Sequence, residues 1–354
     1  MNDQKRTRGN RSATRCWRVA AAISTLLFAA QAMAEVREPR GVTWSFEWEN
    51  DAIFNSDNQF TNGILLQKNG PAVHDWGTAN GTPAFGKKMA AWFLPEQRDE
   101  LWFRESWTVG QNLQTPDEIQ ASQPILNDVP YAGLLAVQNS WIAYDDRNLH
   151  GFSWLFGIVG PAALGEPVQT GFHSLIGADD PNGWSNQIDN EPVLNLYWER
   201  KHKLARARFA DLAVGVGGNV GNLFTGAKVT LESRFGWHLP AGFVHLPDPL
   251  GFGVAYSATE PQQKQKSALY ASLAVRSSFL AYSVLMDGNT FGDSQSIDYN
   301  RQANAVIAGL HYDRPRWGMH FSWLFSSDSL DAAKVTTEED TSLNYGTVTL
   351  DFRF

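Results

Sequence analysis

Residues 343–354 read LNYGTVTLDFRF. Tyr345, Thr347, Thr349, Asp351 and Arg353 fall on one side of an extended chain, and Gly346, Val348, Leu350, Phe352 and Phe354 on the other. Successive side chains of a β-strand point to opposite faces, so this pattern is a strand between an apolar and a polar medium. The same alternation opens the chain at 43–50, TWSFEWEN, where Trp44, Phe46 and Trp48 oppose Ser45, Glu47 and Glu49. It recurs at 59–67, 101–113, 131–144, 152–160, 193–202, 205–217, 227–237, 267–286, 303–312 and 318–325, making twelve strands. The run 267–286 reads as one long strand or as a tight hairpin.

The fold expected is all-β, a transmembrane antiparallel β-barrel of about 12 strands in an outer membrane. Backbone groups in lipid must be paired, and strands achieve this only in a closed sheet. An aromatic residue closing an alternating last strand, as Phe354 does, resembles the usual ending of outer-membrane barrels. A mean hydropathy of -0.32 agrees, because only alternate residues would face lipid. The alternative is the last strand of a secreted sandwich.

Residues 1–34 read as a signal peptide: Lys5, Arg6, Arg8, Arg11, Arg15 and Arg18 precede an apolar run over 19–30, then Ala32-Met33-Ala34. Residues 35–354 then form one barrel domain. That part carries 23 Lys and Arg against 36 Asp and Glu, a net charge of -13. Such an acidic chain disfavours a nucleic-acid partner, whose phosphates need cations. Cys16, the only cysteine, lies in the leader, so no disulfide is expected.

With both termini on the periplasmic side, 51–58, 114–130, 161–192, 218–226, 287–302 and 326–342 become outer loops. Two inner connections, 68–100 and 238–266, are unusually long, and 83–95 (PAFGKKMAAWFLP) suits a short amphipathic helix at the membrane surface. The polar, Gly/Pro-broken stretch 166–192 holds His173, Asp179, Asp180, Asp189 and Glu191 within one outer loop. A neutral imidazole near pH 7 is the side chain best suited to take a proton from water. His150 is expected in a tight turn. The second polar cluster, WENDAIFNSDNQFTNGI after the first strand, has Glu49, Asn50, Asp51, Asn55, Asp57, Asn58 and Thr61. Oxygen donors of this kind suit calcium or ordinary Asx turns. Both clusters leave the same end of the barrel. There is no G-x-S-x-G elbow and no thiol outside the leader, so metal-assisted hydrolysis fits better than an acyl-enzyme route.

Five segments carry a family resemblance: FEWENDAIFNSDNQFTNG (46–63), GQNLQTPDEI (110–119), VPYAGLL (129–135), GPAALGEPVQTGFHSLIGADDPNGWSNQIDNEP (160–192) and LMDGNTFGDSQSID (285–298). Together they resemble the outer-membrane lipid A 3'-O-deacylases, a family of twelve-stranded barrels. The resemblance implies an esterase that removes the 3'-linked acyloxyacyl group of lipid A in the outer leaflet, with Ca2+ as cofactor and lipopolysaccharide and outer-membrane lipids as partners. It implies His173 as general base, with Asn50, Thr61 and Gln169 also catalytic, and Asp51, Asn50 and Asp179 at the cation. Two departures stand out. The family's acid six residues after the histidine is commonly glutamate but is Asp179 here, and 115–124, TPDEIQASQP, lacks the family's lysine. Lys68 or a basic residue elsewhere is the candidate replacement. A monomer is expected; the rival readings are an outer-membrane phospholipase and a non-catalytic porin.

Overall fold

The structure, a computed structural model, describes residues 41–50, 60–75, 84–94, 101–240, 242–248, 253–254, 267–328 and 342–354. The proposed signal peptide lies outside them. Twelve antiparallel strands close into a barrel in the order β1-β12-β11-β10-β9-β8-β7-β6-β5-β4-β3-β2. They are β1(Thr43–Asn50), β2(Phe60–Asn69), β3(Trp102–Gln114), β4(Ala132–Tyr144), β5(Asn148–Val159), β6(Glu191–Arg206), β7(Ala210–Gly221), β8(Phe224–Trp237), β9(Ala268–Ser283), β10(Gln302–Asp313), β11(Trp317–Asp328) and β12(Ser342–Arg353). Among the described residues three α-helices interrupt them: α1(Ala84–Phe93), α2(Gly165–Ile176) and α3(Val284–Asp287). Among the described residues no helix is long and apolar enough to cross a membrane.

The two-residue period sorts lipid from lumen. On β1 the inward Thr43, Ser45, Glu47 and Glu49 are all buried, whereas Trp44 on the other face is 38% exposed. Leu66, Val109, Phe156, Leu194, Val229 and Leu273 continue the exposed apolar outer surface. This inverts a soluble core, as lipid demands. The lumen holds charges in pairs: Arg234 meets Asp211 at 3.0 and 2.5 Å, and Lys201 meets Glu232 at 2.7 Å. A buried charge without a partner would be strongly destabilising.

Several boundaries differ from the sequence reading. The basic run at 199–206 belongs wholly to β6, because Lys201 and Lys203 point inward to Glu232 and Asp211 at 2.7 and 3.4 Å. The β6–β7 turn therefore falls at 207–209, and the expected outer loop 218–226 shrinks to residues 222–223. Residues 268–283 form one strand, not a hairpin, followed by α3. His150 is in β5, not a turn.

Both long inner connections have a place. The expected amphipathic helix is α1, lying on the outside of the wall near the end that carries both termini. Its Phe93 ring stacks on outward-facing Phe152 at 4.1 Å, and Trp92 is 81% exposed. In the β8–β9 connection the described residues 242–248 and 253–254 turn into the lumen. Phe243, Val244, Leu246 and Val254 are buried there, and Gly151 leaves the room that Val254 occupies, since a Cβ would lie 2.4 Å from its Cγ1. The wall grips this segment: Arg234 donates to the carbonyls of Pro240 and Gly242, Arg276 donates to that of Pro247, and Lys228 pairs with Asp248 at 2.6 Å. Burial raises the Asp248 carboxyl, but Lys228 and Arg276 more than offset this and hold it below the usual range. At the opposite mouth Val284, Leu285, Leu223 and Phe224 are buried in an apolar cap. A lumen filled from one end and capped at the other is expected to pass no steady ionic current in planar bilayers; a steady ohmic conductance would contradict this description.

Candidate active site

The chemistry-bearing residues lie at the long-loop mouth, on the outside of the wall. Strand register puts Asn50 opposite Asn62, Asn62 opposite Leu113, and Leu113 opposite Gly133, one row across β1 to β4. With neighbouring strands about 4.8 Å apart, Asn50 and Leu113 are separated by roughly 10 Å. Leu113 faces outward yet is only 1% exposed, because Tyr131 and Trp184 close over it. The start of α2 rests on this row: Gly133 lies under Ala163 and Gly165, and Gln111 donates to the Ala163 carbonyl at 2.6 Å.

Helix α2 replaces much of the loop expected over 161–192, and its residues explain why. Val168, Phe172, Leu175 and Ile176 follow helical spacing, and Pro167 sits in the first turn, where its missing N–H costs nothing. Gly165 is required by packing: a Cβ would come within 2.4 Å of the Trp184 ring. Gly177 ends the helix in the left-handed region at φ 70, a usual place for glycine. The Gly and Pro that look like loop markers are thus a start, a close contact and a stop.

His173 and Gln169 are one turn apart on α2, so they share a face. His173 Nδ1 donates to the Asp179 carbonyl at 2.6 Å just past the helix end. That fixes the ring's tautomer and leaves Nε2 with its lone pair. Gln169 is 2% exposed; its Oε1 accepts from Trp184 Nε1 at 2.7 Å, and its Nε2 has no hydrogen-bond partner. Trp184 is held in turn by Tyr131, with ring centroids 5.0 Å apart. Burial pushes the Tyr131 phenol up to about 12, so it stays a donor to the Ile119 carbonyl at 2.8 Å.

The structure brings Asn50, Gln169, His173 and Asp179 to one end of the barrel. Asn50 is 5% exposed, and the Asp179 carboxylate is solvent-facing. The Asp51 position lies outside the described residues; the backbone of Thr61 is in β2, beside an irregularity in its pairing with β3. Glu191 has a different task. Its carboxylate accepts from Asn222, Asn289 and the backbone N–H groups of Thr290 and Phe291, tying β6 to two neighbouring loops. Asp180 and Asp189 are exposed. Lys68 does not reach this site: six residues below Asn62 on β2, it lies roughly 20 Å away and over the Trp44 ring. Neither Trp184 nor Tyr131 is a site candidate from sequence; their traces are the GW pair within the 160–192 motif and the tyrosine of VPYAGLL at 129–135.

Replacing Trp184 with phenylalanine removes the bond to Gln169 and leaves both ends of a buried amide unpaired, at a cost of about 1–3 kcal/mol. Amide hydrogen exchange across α2 is expected to quicken roughly 5- to 150-fold; unchanged protection would show that this bond does not hold the helix.

The chain matches, over residues 19–354, the family model described as Outer membrane protein LpxR. A solved structure of LpxR from Salmonella typhimurium superposes with a TM-score of 0.70 at 15% identity, covering 88% of this chain and all of that one. The β domain of the Bordetella autotransporter Brka gives a TM-score of 0.41 at 8% identity, covering 89% of this chain and 98% of that one. No curated protein sequence matches. The chain belongs to the LpxR family of bacterial outer-membrane β-barrel proteins.

Proposed function

We propose that this protein is a lipid A 3'-O-deacylase: an ester hydrolase that works in the outer leaflet and releases the 3'-linked acyloxyacyl group, with His173 as general base. The observation that carries this reading is the His173 Nδ1–Asp179 carbonyl bond, which frees Nε2 on a helix packed against the lipid-facing wall. A substrate anchored in the leaflet reaches such a site laterally, without entering the lumen.

In this account Nε2 of His173 takes a proton from water as the water oxygen attacks the ester carbonyl; the resulting imidazolium then protonates the departing sugar oxygen. The buried, unpaired Nε2 of Gln169 is a donor available to the carbonyl oxygen as negative charge develops. Exposed apolar side chains on and beside α2, Leu164, Phe172 and Leu175, suit contact with acyl chains. Calcium fits the donor types here, which are amide and carboxylate oxygens at the mouth of β1 and just after α2. Asn50, Asp51 and Asp179 would hold it. When bound it supplies Lewis-acid polarisation of the carbonyl and charge for a phosphorylated lipid.

Mass spectrometry of lipid A from cells making the wild type or His173→Gln tests the assignment. Loss of the acyloxyacyl unit with wild type only, and only while calcium is present, is expected; deacylation by His173→Gln would overturn the role. Release of fatty acid from glycerophospholipids instead would identify a phospholipase. Gln169→Leu, which keeps the side chain's bulk, is expected to lower kcat by about 10²- to 10³-fold, as removal of one oxyanion donor does elsewhere; an unaltered kcat would remove Gln169 from the chemistry.

A further inference from the structure

The inner wall carries a second polar constellation, at the end of the barrel away from His173. Register places Asp313, Gly318, Asp351 and Ser45 in one inward-facing row across β10, β11, β12 and β1. The next row holds His311, His320, Thr349 and Glu47. Gly318 matters here because it leaves the row open between the two aspartates: a Cβ would lie 2.6 Å from Asp313 Oδ1 and 3.0 Å from His320 Nε2. One ligand atom each from Asp313, His320 and Asp351 lie within 4.8 Å of one another.

We propose that Asp313, His320 and Asp351 bind a divalent transition metal, zinc by their donor types, as a structural staple of β10, β11 and β12 beside the closing β12–β1 seam. Three observations converge. First, His320 Nε2 lies 3.4 Å from Asp351 Oδ2 and 3.8 Å from Asp313 Oδ1. The first is at most a long hydrogen bond and the second exceeds one, whereas ligands 2.0–2.2 Å from one zinc ion stand roughly 3.3 Å apart. Second, Asp313 is 3% exposed and its Oδ2 has no hydrogen-bond partner. Third, His320 is oriented from behind: its Nδ1 contacts His311 Nδ1 at 3.1 Å, and His311 Nε2 contacts Ser272 Oγ at 2.8 Å. A metal-binding histidine is commonly fixed through its other nitrogen in this way.

Charge agrees with a cation here. Arg353 Nη2 touches Asp313 Oδ1 at 2.5 Å and Asp351 Oδ2 at 3.4 Å, which neutralises one of two carboxylates. Ser45 donates to Asp351 Oδ1 at 2.5 Å. A proton on His320 is the competitor of the metal at this site. One aspartate oxygen from each side, one imidazole nitrogen and water make a zinc-type donor set, unlike the all-oxygen set at the outer mouth.

The test uses the full-length folded barrel in detergent in a His173→Gln background, so that the outer histidine adds no binding. After chelator treatment, Zn2+ is titrated calorimetrically, and Co2+ by its visible absorption. One equivalent lost on His320→Gln or Asp313→Asn, with His311→Ala weakening binding about 10- to 100-fold, is the expected result. Equal zinc binding with and without His320, or none in the parent, would overturn the proposal and leave the proton as the occupant. If a variant fails to fold, zinc-edge absorption of the parent decides: one imidazole with otherwise oxygen ligands supports the site, and oxygen alone refutes it. With the native His173 restored, His320→Gln is expected to keep its activity on lipid A.

Discussion

Eight paired positions between β1 and β12, from Thr43 with Arg353 to Asn50 with Gly346, close the sheet, and everything else about the molecule follows from that closure. An open edge in lipid would leave a row of unpaired N–H and C=O groups, each costing several kcal/mol. Once the ring is shut, every strand has one lipid face and one lumen face with no freedom to exchange them, because a slip of one residue would reverse both. The same alternation that puts Trp44 in lipid puts Ser45 on Asp351.

Closure also decides where chemistry can occur. The lumen is narrowed by Phe243, Val244, Leu246 and Val254 and crowded with ion pairs, so it offers little to an amphipathic lipid. The outer rim offers more. There α2 leaves the mouth and folds back onto the outward face of β3 and β4, burying Leu113 under Trp184 and Tyr131. A wall of this kind gives a helix a rigid support while its other side stays exposed, with Leu164, Phe172 and Leu175 uncovered. In the proposed reaction the helix holds His173, the carbonyl of Asp179 aims it, and Trp184 holds Gln169 from the rear.

The strands were legible because period-two alternation is enforced by two solvents, and twelve were counted correctly. Their ends were less legible: Lys201 and Lys203 look like turn residues until inward partners are known. Helix α2 was hidden by Gly165, Pro167 and Gly177, each of which serves a helix here and a loop elsewhere. The candidate site was legible in residue types and through family resemblance, while its contacts were not. The carbonyl, rather than the carboxylate, of Asp179 orients His173, and no one-dimensional pattern distinguishes the two. The placement of 242–248 and 253–254 in the lumen had no periodic signal at all, since an irregular segment is held through its carbonyls by Arg234 and Arg276.

In the proposed reaction the site opens sideways to the membrane from a helix lying on the outer wall. A nitroxide on a cysteine replacing Leu175, a residue 76% exposed on α2, reports this directly in reconstituted bilayers. Collisions with lipid-soluble oxygen exceeding those with a water-soluble nickel chelate are the expected result. Dominance of the nickel chelate would place the helix in water and contradict lateral entry from the leaflet.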